Sequence, residues 1–155
     1  MTLLENNKNG PTSWVGNLPV TSRYTFGIAG ERFFRAIKDE GKIYGSYCPQ
    51  CMRTYVPASI FCERCLGKLK EWIDVGTIGE VHTFTMLHEN QDGSHRDSPE
   101  TIAFISFGDG GIIHRLGQIN QDEIEIGMKV EAVFKDKEDR DGTILDIVYF
   151  KPVTN

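Results

Sequence analysis

The sequence has no apolar run near the ~18 residues that a membrane span requires. It has no Gly-x-Ser-x-Gly, no Walker sequence and no Gly-x-Gly-x-x-Gly opening a helix. The start, Met1 to Glu5 and then Asn6, Asn7, Lys8 and Asn9, lacks the apolar core of a secretory signal. The expectation is a cytoplasmic chain, not membrane-bound, whose thiols stay reduced. Positive charge is also in deficit. Seventeen Lys+Arg stand against 22 Asp+Glu, a net of −5. Phosphate binding over a whole surface wants the opposite sign, so nucleic acid is not an expected partner. Cysteine is scarce at four residues. A chain of 155 residues makes one ordinary domain or two small ones.

The charge is divided along the chain. Residues 1–67 carry a net of +3 and residues 68–155 a net of −8. The pattern of expected elements changes near the same place. Residues 1–20 hold Asn6, Asn7, Asn9, Gly10, Pro11 and Pro19 and read as a flexible arm, with Trp14, Val15 and Leu18 as docking points. Residues 21–41 contain a helix. Phe26, Gly30, Phe33 and Ile37 share one face of a 3.6-residue period, and Gly41 is the expected stop, which predicts a helix from about Gly27 to Glu40. Gly30 in its middle is a place for another backbone to come close.

Residues 42–67 hold short segments around the cysteines, and residues 68–155 read as strands. Glu71–Val75, Ile78–Leu87, Thr101–Phe107, Ile112–Ile119, Lys129–Lys135 and Thr143–Phe150 are rich in Ile, Val, Phe and Thr. Gly108 to Gly111 makes a hairpin turn, Asp136–Gly142 a charged loop, and Glu89–Glu100 a polar loop bracketed by His88 and His95. That number of strands in ~85 residues suits a small OB-like barrel. The expected fold is mostly β: an N-terminal helix, a rubredoxin-like zinc ribbon and a C-terminal OB-fold β-barrel.

The cysteines read Cys48-x-x-Cys51, ten residues, then Cys62-x-x-Cys65. Each pair fits a tight knuckle whose sulfurs aim at one point. Two knuckles complete a tetrahedral sulfur shell, the coordination that zinc takes. Two disulfides would need an oxidising compartment. A redox dithiol wants one such motif opening a helix after a strand. Iron shares the ligand spacing and stays open beside zinc. Four thiolates leave no coordination position for water or substrate, so one structural Zn2+ is expected at Cys48, Cys51, Cys62 and Cys65. The residue after each second cysteine is often Gly; here Met52 and Leu66 stand there.

No thiol is left as a nucleophile, and none of His82, His88, His95 and His114 pairs with a cysteine or serine in a known motif. His82 and His114 read as side chains on a sheet face. No catalytic residue is expected.

The sequence resembles the acyl-CoA-associated family of zinc-ribbon plus OB-fold proteins, formerly a domain of unknown function. The resemblance rests on Glu31–Gly41, the four cysteines with Pro57 between the pairs, Glu71–Thr77, Gly79–Thr85 and Ile126–Val130, and covers about residues 22–152. The segment Arg23–Gly30 is similar to the subgroup found beside thiolases, such as the small accessory subunit of benzoylsuccinyl-CoA thiolase. This implies a non-catalytic subunit of a thiolase or related acyl-CoA enzyme, with the nucleophilic cysteine in the partner. CoA or acyl-CoA is the implied ligand of the complex. Lys42, Arg53 and Arg64 near the ribbon are candidates for its phosphates. A free-standing acyl-CoA carrier and a single-stranded nucleic-acid-binding module are the alternatives.

Overall fold

The computed structural model describes residues 25–90 and 92–153. The arm over 1–20, with Trp14, Val15 and Leu18, lies outside the described residues.

Helix α1 spans Gly27–Arg35 and continues as a wider π-type turn over Ala36–Glu40. Gly41 ends it at φ 66°, the left-handed cap expected of that glycine. Phe33 and Ile37 are buried, and Glu31 pairs with Arg35 at 2.9 Å on the outer side. Gly30 makes room for a side chain, not a second backbone: a Cβ there would lie 2.6 Å from Phe26 Cβ. Phe26 folds over the glycine one turn on and meets Phe34 edge-on.

Strands β1 (Tyr44–Cys48), β2 (Arg53–Tyr55) and β3 (Glu71–Asp74) form an antiparallel sheet in the order β2-β1-β3. Glu71–Val75, which the sequence pattern grouped with the barrel strands, therefore hydrogen-bonds to the ribbon: Ser46 faces Trp72 and Tyr44 faces Asp74. Gly76 is the reason. Its positive φ turns the chain sharply after β3, and its N–H donates to Asp74 Oδ1. Arg32 of α1 lies over the Trp72 ring at 5.1 Å, so the helix packs on this sheet.

The second sheet holds β4 (Ile78–Glu89), β5 (His95–Phe107), β6 (Gly110–Arg115), β7 (Lys129–Phe134) and β8 (Ile147–Pro152) in the order β6-β5-β4-β7-β8. All neighbours are antiparallel. The sheet curls until Leu116 bridges Phe150 in parallel and Gly117 N–H donates to the Phe150 carbonyl. Five strands with this order and one parallel seam are the OB arrangement, a partly open Greek-key barrel.

Three expectations about this sheet are corrected. The polar loop over 89–100 is mostly strand, because β4 and β5 extend as a two-stranded arm to the pair Glu89–His95. Only a short turn remains. It is tied by Asp92 accepting from Ser94 and by Asn90 N–H donating to the Ser94 carbonyl. The strand expected over 112–119 stops at Arg115. The strand expected from Thr143 starts at Ile147, because Thr143 instead caps a single 3-10 turn over Ile144–Asp146.

One core joins these parts. Phe33 and Ile37 of the helix, Ile43 and Val56 of the ribbon base, and Val81, Ile105, Val130, Ile147 and Phe150 of the barrel pack together. His114 lies inside this wall, buried and edge-on to Phe150 at 5.8 Å, while His82 is exposed beside Phe104. Both sit in strands, as their positions in the pattern suggested.

Candidate metal centre

The first knuckle closes β1 onto β2. Cys48 ends β1 and faces Arg53 across the hairpin, with Pro49 to Met52 as the turn. The second is tied by backbone: Cys62 N–H donates to the Gly67 carbonyl and Leu66 N–H to the Cys62 carbonyl, both at 2.9 Å. A bridge between Phe61 and Lys68 closes its base. Met52 and Leu66 have φ of 52° and 58°, so both knuckles reach the left-handed turn without glycine, at a cost of about 1 kcal/mol each. Their side chains stand 76% and 77% exposed.

The four Sγ atoms all lie within 4.8 Å of one another, and those of Cys48 and Cys65 are 3.7 Å apart. A zinc ion with sulfurs at about 2.3 Å has tetrahedron edges of about 3.8 Å. The sulfur set therefore fits that ion in donor type, number and spacing. It does not fit disulfides, whose sulfurs would sit about 2.05 Å apart. Cys48 and Cys62 are buried with Leu69; Cys51 and Cys65 are half-buried on the outer side. Gly67 lets the chain pass close, since a Cβ there would lie 3.3 Å from Cys65 Sγ.

A fifth residue belongs to the site. The Tyr55 hydroxyl is 3.1 Å from Cys62 Sγ. That contact, together with the backbone N–H groups of Cys65 and Arg64, lowers the Cys62 thiol to about 6, against the opposing effect of burial. The same contact raises the Tyr55 phenol to about 12. Burial and the neighbouring thiols push Cys51 up to about 12. Cys48 is pulled down by the Cys51 backbone N–H, but burial and the Cys62 and Cys65 thiols leave it raised on balance. The sequence reading missed Tyr55; its signal was its place in the arm between the knuckles.

The basic candidates are not gathered. Lys42 sits at the far end of β1, six residues or about 20 Å from the knuckle, and pairs with Asp74 at 3.0 Å. Asp74's hydrogen bond and charge hold the Lys42 ammonium above its usual range. Arg53 and Arg64 are exposed at the sulfur end. Arg53 borders a cavity of about 280 Å³ that also holds Glu63 and Asp109. The larger cleft, about 760 Å³, lies between α1 and the loop at 141–142, lined by Phe26, Ile28, Phe34 and Lys38 among others. None of the three basic candidates lines it.

The Gly108–Gly111 hairpin does more than turn the chain. Gly111 N–H donates to the Val56 carbonyl and Asp109 accepts from Thr54 N–H, so the turn grips the ribbon. A Cβ on Gly110 would collide with the Val56 backbone, coming within 2.7 Å of its carbonyl oxygen.

Family models match both parts of this geometry. Residues 35–71 match the ChsH2 rubredoxin-like zinc ribbon domain, and residues 72–135 the ChsH2 C-terminal OB-fold domain. A DUF35 domain-containing scaffold protein of Methanocaldococcus jannaschii is 34% identical over 130 residues, 80% of this chain and 91% of that one. The chain belongs to the DUF35 family. Among solved DUF35 structures, a Sulfolobus solfataricus protein of unknown function is 26% identical, with a TM-score of 0.64 over 82% of this chain and 87% of its own. The Ltp2-ChsH2(DUF35) aldolase shares the fold at a TM-score of 0.61 and 19% identity, covering 85% of this chain and 100% of that one. The family and the fold expected from the resemblance are therefore the ones found. Among the described residues, no helix is long and apolar enough to cross a membrane.

Proposed function

We propose that this chain is a non-catalytic accessory subunit of a thiolase-type acyl-CoA enzyme complex. It helps to bind or position CoA or acyl-CoA and stabilises the catalytic partner. One Zn2+ on Cys48, Cys51, Cys62 and Cys65 holds the ribbon. The observation that carries the reading is the closed sulfur set. All four thiols converge on one point, which commits every cysteine of the chain to structure. When bound, the ion supplies cross-linking and charge neutralisation, and no open position for a reacting group.

Three further features support the reading. The family relative from Methanocaldococcus jannaschii is named a scaffold protein. The ChsH2 structure that shares the fold is a complex with Ltp2, named an aldolase. And the ribbon tip exposes Met52, Phe61 and Leu66, large apolar side chains of the kind that a stable partner covers. Arg53 and Arg64 stand at this same tip, where they face a phosphate-bearing ligand shared with the partner. Lys42, engaged by Asp74, contributes to the ribbon base instead.

A tagged chain expressed in its own host tests the proposal. Co-purification with a thiolase-like subunit is expected, together with cleavage of a 3-ketoacyl-CoA by the complex and none by the isolated chain. Equal cleavage by the isolated chain overturns the subunit role. Tight CoA binding by the isolated chain favours a free-standing carrier.

A further inference from the structure

The cleft of about 760 Å³ beside α1 has no part in the function proposed above. Its wall is apolar and held in place. Phe26 is seated on Gly30, where a Cβ would lie 2.6 Å from its own, and meets Phe34 edge-on at 5.2 Å. Even so, Phe26 is 62% exposed and Ile28 72%. The charges around it are Arg35 and Lys38 against Glu31, Asp39 and Asp141, with Glu31 and Arg35 paired at 2.9 Å. There is no positive excess to hold an anionic ligand.

The chain enters the fold through this cleft. Thr25 and Phe26, the first described residues, both line it. Gly27 follows at φ 65° with open space where a Cβ would stand. Its role is the backbone turn, which takes the incoming chain off the line of the helix. Residues 1–24 therefore leave from the cleft's own wall.

Those 24 residues contain a stretch of unusual composition. From Asn9 to Ser22 there is no charged residue, where an average chain would place about three or four. Trp14, Val15, Leu18 and Val20 stand in it. Leu18 is seven residues from Thr25, a span of up to about 24 Å. The helix from Gly27 to Glu40 is about 21 Å long, so these side chains can reach any point of the cleft.

We propose that residues 14–20 of this chain fold back into the cleft and cover Phe26, Ile28 and Phe34. The tether selects this occupant. A short connection holds the segment at about millimolar local concentration, far above that of a second copy in dilute solution. Trp14 brings a large apolar surface, and the carboxylates beside the cleft offer its indole N–H an acceptor. The cleft is then an internal seam that fastens the N-terminal arm to the helix, and the ribbon tip stays free for a catalytic subunit.

Fluorescence of the full, metal-loaded chain tests this. Trp72→Phe leaves Trp14 as the one tryptophan. Its emission is expected to lie to the blue of the denatured chain's, with acrylamide quenching reduced severalfold, at every protein concentration. Adding Ile28→Asp shifts the emission to the red and restores quenching, with an unchanged circular dichroism spectrum. Ile113→Asp, at a barrel position 70% exposed, leaves the emission as it was. A Trp14 as quenchable in the folded chain as in the denatured one overturns the proposal. So does shielding that survives Ile28→Asp, or that appears only as the concentration rises and so belongs to a second copy. A photocrosslinking residue, Trp14→benzoylphenylalanine, gives a reading that needs no change in the cleft. Attachment within residues 25–39 or 141–142 of the same chain is expected, and attachment only elsewhere overturns the proposal.

Discussion

The Tyr55 hydroxyl lies 3.1 Å from Cys62 Sγ, linking the ribbon's edge strand β2 to one of the four converging sulfurs. Such outer contacts orient a ligand and tune its charge, and their loss typically costs 10–100-fold in metal affinity. Tyr55→Phe keeps the ring's packing and removes only the hydroxyl. The expected outcome is a folded ribbon whose zinc affinity falls by roughly that factor, read by competition with a chelating dye. An unchanged affinity would make the contact incidental.

Metal removal should loosen the ribbon before the barrel. The ribbon's own cluster is only Cys48, Cys62 and Leu69 with its half-buried neighbours, too little apolar surface to hold by itself. A strong chelator is expected to raise amide exchange over residues 44–74 while β4 to β8 stay protected. Metal analysis of the untreated chain is expected to give one zinc per chain. A chelated chain with undiminished ribbon protection would contradict the structural role of the ion.

The junction between ribbon and barrel rests on Gly110. A methyl group there meets the Val56 backbone, which cannot swing aside as a side chain would. Gly110→Ala is expected to destabilise the chain by about 1–3 kcal/mol. Chemical denaturation measures the loss. Gly93→Ala is a poor comparison because its φ is 82°; Ser98→Ala, at an exposed position in the far part of β5, is the better control.

Asp146 sets an acid limit on stability. Its side chain is fully buried and accepts from the N–H groups of Asp141, Gly142 and Thr143, with Lys135 at 3.7 Å. Burial alone would raise its pKa, but the three N–H groups and Lys135 outweigh it and hold the carboxyl below its ordinary 3.8. The unfolded chain therefore takes up a proton first as pH falls. The stabilisation is complete above about pH 4 and is lost as pH drops through the folded value. Asp146→Asn is expected to cost about 3 kcal/mol at neutral pH, since its amide turns a donor toward N–H groups. It should also flatten the acid limb of a denaturation-versus-pH curve. An acid limb identical to wild type would assign the lability to other carboxylates.

Much of this was legible in the chain. The helix from Gly27 to Gly41 follows from apolar spacing and a terminal glycine, which are local properties of the backbone. The sulfur set follows from spacing, because two residues between cysteines leave few knuckle geometries. Asp146 was missed: the sequence reading put it in a strand over Thr143–Phe150, and the signal that could have found it is the Thr143-x-x-Asp146 spacing of a capping box. The bond between Tyr55 and Cys62 was not, since it depends on how the second knuckle folds back over the first hairpin.

By itself, then, the sequence determined the elements whose causes are local: the helix and its stop, the two knuckles, the hairpin turn at Gly108–Gly111 and the β character of the rest. The tertiary structure alone decided what those elements join. It assigned Glu71–Asp74 to the ribbon, turned an apparent loop at 89–100 into a projecting arm, and separated Lys42 from Arg53 and Arg64. The reason is physical. A strand's composition reports that it will pair, but which edge it pairs with is set by distant backbone groups and by the core that aligns them.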